Sequence, residues 1–117
     1  MGEENSIKPQ VEEVIAKFIN DYLQTTPKSV SIDIHASDII ATLHGIIPPV
    51  EKDLANSDPE GRDLLEKCYS DTFDVSKGTV EQELGNILGR AIENSMLKID
   101  PRSSNAVMIF NLANRLS

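Results

Sequence analysis

Residues 45–62 read GIIPPVEKDLANSDPEGR, and no other stretch limits the fold as strongly. Gly45 closes a segment with strand periodicity. Pro48 and Pro49 forbid its continuation, because proline brings no N–H to a sheet ladder and its ring pre-sets the φ of a first helical turn. Val50, Leu54 and Ala55 then describe a short helix. Ser57-Asp58-Pro59-Glu60 is a second helix start, with Asp58 as N-cap, Pro59 at the first helical position and Glu60 against the positive end of the helix dipole. Such a chain must turn from sheet to helix here, through a short helix into a long one.

The flanks agree. Ile7, Val11, Val14, Ile15, Phe18, Ile19, Tyr22 and Leu23 recur at helical spacing, with Glu12, Glu13, Lys17, Asn20 and Asp21 on the other side. This predicts an amphipathic helix with Ser6 as N-cap and Pro9 in its first turn, ending near residues 24–27. Its apolar stripe suits a core, or a partner. After Pro27 the period becomes two: Val30, Ile32 and Ile34 alternate with Ser31, Asp33 and His35, and Ile39, Ala41 and Leu43 with Ile40, Thr42 and His44. Residues 28–45 are therefore a β-hairpin turning at residues 36–38.

Beyond Pro59, one apolar stripe comprises Leu64, Leu65, Cys68, Tyr69 and Phe73, and a second Val80, Leu84, Ile87 and Leu88. The phase survives Gly78, so one helix over about 60–88 is expected, capped by Gly89. A third strand at about 91–99, a turn at 101–105 and a fourth strand at 106–112 complete the chain. The unbroken apolarity of VMIF points to an inner strand covered on both faces. The fold class is α+β: an N-terminal helix, a β-hairpin, a short helix plus a long helix, and a second β-hairpin, forming one four-stranded antiparallel sheet covered by helices. At 117 residues this is a single domain, with frayed tails at 1–6 and 113–117.

Composition narrows the function classes. The net charge of −8 repels phosphate backbones and anionic lipid, so nucleic acid is not an expected partner. With two Tyr, three Phe and no Trp, the core must rest on Ile, Leu and Val. No apolar run approaches the ~20 residues of a membrane span, so direct membrane insertion is not expected. No signal peptide opens the chain, and Met1-Gly2 with Ser6 matches the myristoylation pattern only formally. Cys68 is the single cysteine, which fits a reducing cytoplasm, and it is read as a small apolar filler in the helical stripe.

No local catalytic signature is present. Gly85-x-x-x-Gly89 lacks the Lys-Ser/Thr sequel of a phosphate loop and suits close helix packing. His35 and His44 fall near opposite ends of the hairpin, roughly 20 Å apart, and cannot share an ion within one subunit. Glu51, Asp53, Asp58, Glu60 and Asp63 cluster around the two helix starts, where acids stabilise helix N-termini and could also receive a hard cation. Arg62, one turn into the long helix, is expected to pair with Glu51, Asp58 or Glu66. No metal and no cofactor is implied. The candidates for a ligand or partner site are His44, Glu51, Asp58 and Arg62.

The chain resembles the MpsC-like family, formerly a domain of unknown function, named for a component of a sodium-translocating, membrane-potential-generating system. That family carries a hairpin, then G-x-L-T-P-x-E-x-x-L-A, then G-R-x-x-[VL], a long helix ended by Gly, and a final V-x-[VI]-F-x-L. The matching residues are Pro27, Val30, Asp38, Gly45, Pro49, Glu51, Leu54, Ala55, Gly61, Arg62, Gly89, Val107, Ile109, Phe110 and Leu112. Three departures stand out: Pro48 replaces the family's Thr, Thr26 replaces a Gly, and the basic run of the long helix shrinks to Lys67. The resemblance implies a small soluble protein associated with membrane systems for cation transport or inorganic-carbon uptake, and carries over no catalytic residues. The expectation is a non-enzymatic cytoplasmic accessory module, a homodimer docking on a membrane transport or signalling partner. The alternative is a small-ligand or cation sensor with its site near residues 45–62.

Overall fold

The computed structural model describes residues 2–113. Helix α1 spans Gly2–Phe18 and continues into a π-helical turn, Ile19–Leu23, which stops where Gln24 adopts φ 57°. Strands β1 (Ser29–Ile34) and β2 (Asp38–His44) follow, then α2 (Pro49–Ser57), α3 (Pro59–Leu88), β3 (Ile92–Asp100) and β4 (Asn105–Leu112). The sheet order is β1-β2-β4-β3 with every neighbouring pair antiparallel. The α+β order of elements read from the sequence is the one observed.

Alternation in the strands decides what is buried. Ile32, Ile39, Ala41, Leu43, Ala106, Met108 and Phe110 point to one face and join Val11, Ile15, Phe18, Phe73, Val80 and Leu84 of the helices in one core cluster. Each large side chain withdrawn from water contributes about 1.5–3 kcal/mol. Phe18 meets Phe73 edge to face, with ring centroids 5.9 Å apart, and locks α1 onto α3. The 30-residue α3 passes through Gly78 unbroken. At about 1.5 Å per residue it is roughly 45 Å long, and it sets the 51 Å long dimension of the molecule. Gly89 ends it at φ 68°, its N–H bonding the Gly85 carbonyl at 2.8 Å.

Several local expectations change. The first helix begins at Gly2, not after Ser6, and Pro9 lies inside it. Proline there removes one backbone bond and crowds the carbonyl four residues back, and Ile7, Val11 and Ile15 hold the segment to the core. Strand β4 is an inner strand but is covered on one face only. Its burial alternates, and Val107 and Ile109 stay partly exposed because α1 and α3 pack on the opposite side.

Leu64 is 62% exposed and Cys68 is also exposed, so Cys68 is no core filler. The buried positions of α3 are Gly61, Tyr69, Phe73, Val80 and Leu84. Leu64, Cys68 and Val75 lie more than a quarter-turn away from the Tyr69, Phe73, Val80 and Leu84 row. Gly85 does not serve helix packing: a methyl there would sit 3.1 Å from the Arg90 carbonyl, so it makes room for the returning chain. Of the tail expected at 113–117, Ala113 donates its N–H to the Ala91 carbonyl at 2.9 Å, and 114–117 lie outside the described residues.

Candidate functional site

The stretch that turns sheet into helix is held from both sides. Gly45 adopts φ +67°, and a methyl there would also run into the Lys28 side chain at 2.6 Å. Only glycine enters this conformation without cost. Ile46 and Ile47, the next two residues, are buried. Their backbone groups find partners in two distant turns. The Ile46 N–H bonds the Ser104 carbonyl at 3.0 Å, and Thr25 donates its hydroxyl to the Ile46 carbonyl at 2.6 Å. The buried Ser104 hydroxyl accepts from the Ile47 N–H at 2.7 Å and donates to the Ile47 carbonyl at 3.1 Å. Ser104 itself sits at φ 68°. Asn56 reaches the same turn, donating to the Arg102 carbonyl at 3.3 Å.

Pro49 opens α2 with no side-chain cap, as expected where Pro48 stands in place of Thr. Glu51 turns toward α3 and accepts the Tyr69 O–H at 2.9 Å. Tyr69 is buried. Burial first, and then the bond to Glu51, holds its hydroxyl far above the usual tyrosine range. Leu54 covers Gly61: a methyl on Gly61 would lie 2.8 Å from the Leu54 side chain, so the two helices approach through that glycine. Asp58 caps α3, its carboxylate accepting from the Glu60 N–H at 3.1 Å.

Arg62 does not pair as expected. Glu51 is engaged by Tyr69 and Asp58 by the helix N-terminus, so the carboxylate in reach is Asp63, at 3.9 Å and 76% exposed. His44 lies at the end of β2, where its Nδ1 is 3.2 Å from the Asn105 Oδ1 of β4. No hydrogen bond or ion pair joins the side chains of His44, Glu51, Asp58 and Arg62 to one another; each serves a different local contact. Among the described residues, no group of three or more His, Cys, Asp and Glu is placed to hold a metal ion.

Three side chains that bond to distant parts of the chain, only the first of them at this junction, were not singled out by sequence. Ser104 sits in a turn-forming PRSSN string with nothing local to mark it. Arg90 follows the cap of α3 and sends one guanidinium nitrogen to the Ala36 carbonyl and another to the Ala113 carbonyl, each at 2.7 Å, while its Nε is buried without a partner. Ser95, buried on the inner face of β3, donates to Glu81 of α3.

Against this geometry, the profile of the family described as MpsC, Na+-translocating membrane potential-generating system (MpsC), matches residues 3–114. The chain belongs to the MpsC family. The match takes in every strand and all but the first residue of the helices described above. The Gly45, Pro49, Glu51, Gly61 and Arg62 positions that carried the resemblance thus fall at the sheet-to-helix junction of an MpsC domain. No curated protein and no solved structure matched the chain. Among the described residues, no helix of this MpsC-family chain is long and apolar enough to cross a membrane.

Proposed function

We propose that this chain is a non-enzymatic, cytoplasmic accessory module, homodimeric, that docks on a membrane protein of a cation-transport system. The observation that carries the proposal is the family match across residues 3–114, to a family named for a sodium-translocating, membrane-potential-generating system. In support, three polar groups at the sheet-to-helix junction serve the fold. Glu51 ties α2 to α3, Asp58 caps α3 and Ser104 closes the loop. With no membrane-crossing helix among the described residues, contact with a membrane system is expected to run through a protein partner. The net charge of −8 favours a partner presenting basic residues, as the cytoplasmic loops of membrane proteins do.

The test is capture on the purified chain from detergent-solubilised membranes of the native cell, at low and at high salt. The expected result is enrichment of a multi-span transport protein that is released as salt rises. Recovery of soluble proteins alone would overturn the docking role. A thermal-shift screen with nucleotides, bicarbonate and divalent cations tests the sensor alternative. A ligand at ~100 times its Kd adds about 2.7 kcal/mol of stability, and a specific shift of that size would replace docking with sensing.

A further inference from the structure

We propose that the open face of the sheet is the surface on which a second copy of this chain packs, with the twofold axis running along the strands between β2 and β4. This rests on the homodimer proposed above and names its surface. The strand registers place the outward side chains in rows. One row reads Asp33, Ile40, Ile109 and Met96 across β1, β2, β4 and β3, and the next reads Ser31, Thr42, Val107 and Lys98. The helices cover the other face, and Met96 is 39% exposed on this one. The centre of the face is therefore apolar, on the two strands that lie at the middle of the sheet.

Charge selects the occupant. Asp33 lies on one edge strand and Lys98 on the other, three strand spacings across and one row along, or about 16 Å apart. Among the described residues neither forms an ion pair within the chain. A twofold along the strands sets β1 over the partner's β3 and β2 over the partner's β4. Ile40 then faces Ile109 of the partner subunit, and Asp33 comes beside the partner's Lys98, twice by symmetry. The same operation brings Asp38 over Asn111 of the partner subunit and Asp100 over the partner's Ser29, so no like charges meet. A twofold across the strands would lay β1 on the partner's β1, whose outward residues are Ser29, Ser31 and Asp33, and leave Asp33 without a counter-charge.

With strands seven and eight residues long at the centre, the face offers roughly 400–500 Å² per copy. That is below the standard size for a specific interface, so a weak, concentration-dependent dimer is expected.

Sedimentation equilibrium of the full chain over a wide concentration range tests this, with circular dichroism to verify folding of every variant. The wild type is expected to dimerise, Ile109→Glu to raise the dissociation constant about tenfold or more, and Asp33→Lys to weaken the dimer by setting like charges together. Combining Asp33→Lys with Lys98→Asp is expected to restore the dimer. Restoration can come only from pairing between copies, because the two positions are too far apart to meet within one sheet. A dimer indifferent to Ile109→Glu, or a double variant as weak as the single one, overturns this face while leaving the homodimer in place. A monomer at every concentration overturns both, and membrane capture then tests docking on its own.

Discussion

Ser104 holds more of this structure than its place in a turn suggests. Its hydroxyl satisfies both backbone groups of the buried Ile47. Ser104→Ala is therefore expected to cost about 1–3 kcal/mol, the desolvation of an unpaired buried group, read as a lower midpoint in urea with an unchanged slope. Tyr69 makes a different kind of contact. Its hydroxyl is raised from an ordinary value of 10.0 by burial and by the bond to Glu51. A folded-state pKa above the unfolded one adds stability that is complete below pH ~10 and is lost as pH rises beyond it. Stability should therefore fall more steeply above pH 10 in the wild type than in Tyr69→Phe, as measured by denaturation at stepped pH. Neither role was legible in sequence, since Ile47 and Ser104, or Glu51 and Tyr69, meet only after the chain has folded.

At the scale of elements, α3 was the most legible part and also shows where periodicity misleads. Its stripe predicted one helix through Gly78, and the structure has one. The same stripe drew in Leu64 and Cys68, which are exposed, because i, i+3 and i+4 spacings leave a tolerance wide enough to admit a neighbouring row. Gly78 is exposed, and a methyl there would meet nothing within 4 Å. Gly78→Ala should therefore stabilise the protein by about 0.5–1 kcal/mol, through lower entropy of the unfolded chain and better helix propensity. An unchanged or lower thermal midpoint would mean that α3 needs its local give. The π-helical turn at Ile19–Leu23 had no sequence signature. It buries Ile19 and Leu23 before Gln24 stops the helix.

Over the whole molecule, two clasps hold the sheet at its two ends. Ser104 joins the β3–β4 turn to the loop after β2. At the other end, Arg90 bonds the carbonyl of Ala36 in the first hairpin turn and that of Ala113 after β4. The Leu112 N–H also bonds the Ser37 carbonyl, at 2.9 Å. Hydrogen bonds from a charged donor contribute about 1.5–3 kcal/mol, so Arg90→Ala should lower stability by that order. Hydrogen exchange should localise the loosening: amides near Ser37 and Leu112 are expected to lose protection while those of Leu43 and Met108 keep theirs. Uniform loss would mean that Arg90 stabilises the fold as a whole rather than this end. Lysine at position 90 should recover only part of the effect, because an ammonium lacks the fork that spans two carbonyls.

The sequence by itself determined the order of elements and the place where sheet gives way to helix. Prolines, caps and apolar periods act over a few residues, and they agree with one another at the sheet-to-helix turn and at the Gly89 stop, though Ser6 and Pro9 misplaced the start of the first helix. It did not decide which face of the sheet the helices cover. The apolar run of VMIF fits burial on both sides as well as burial on one, and only packing tells them apart. Nor did it decide the partners of Glu51, Arg62, Arg90 and Ser104. Those depend on groups brought together from distant parts of the chain, where geometry rather than residue type selects the contact.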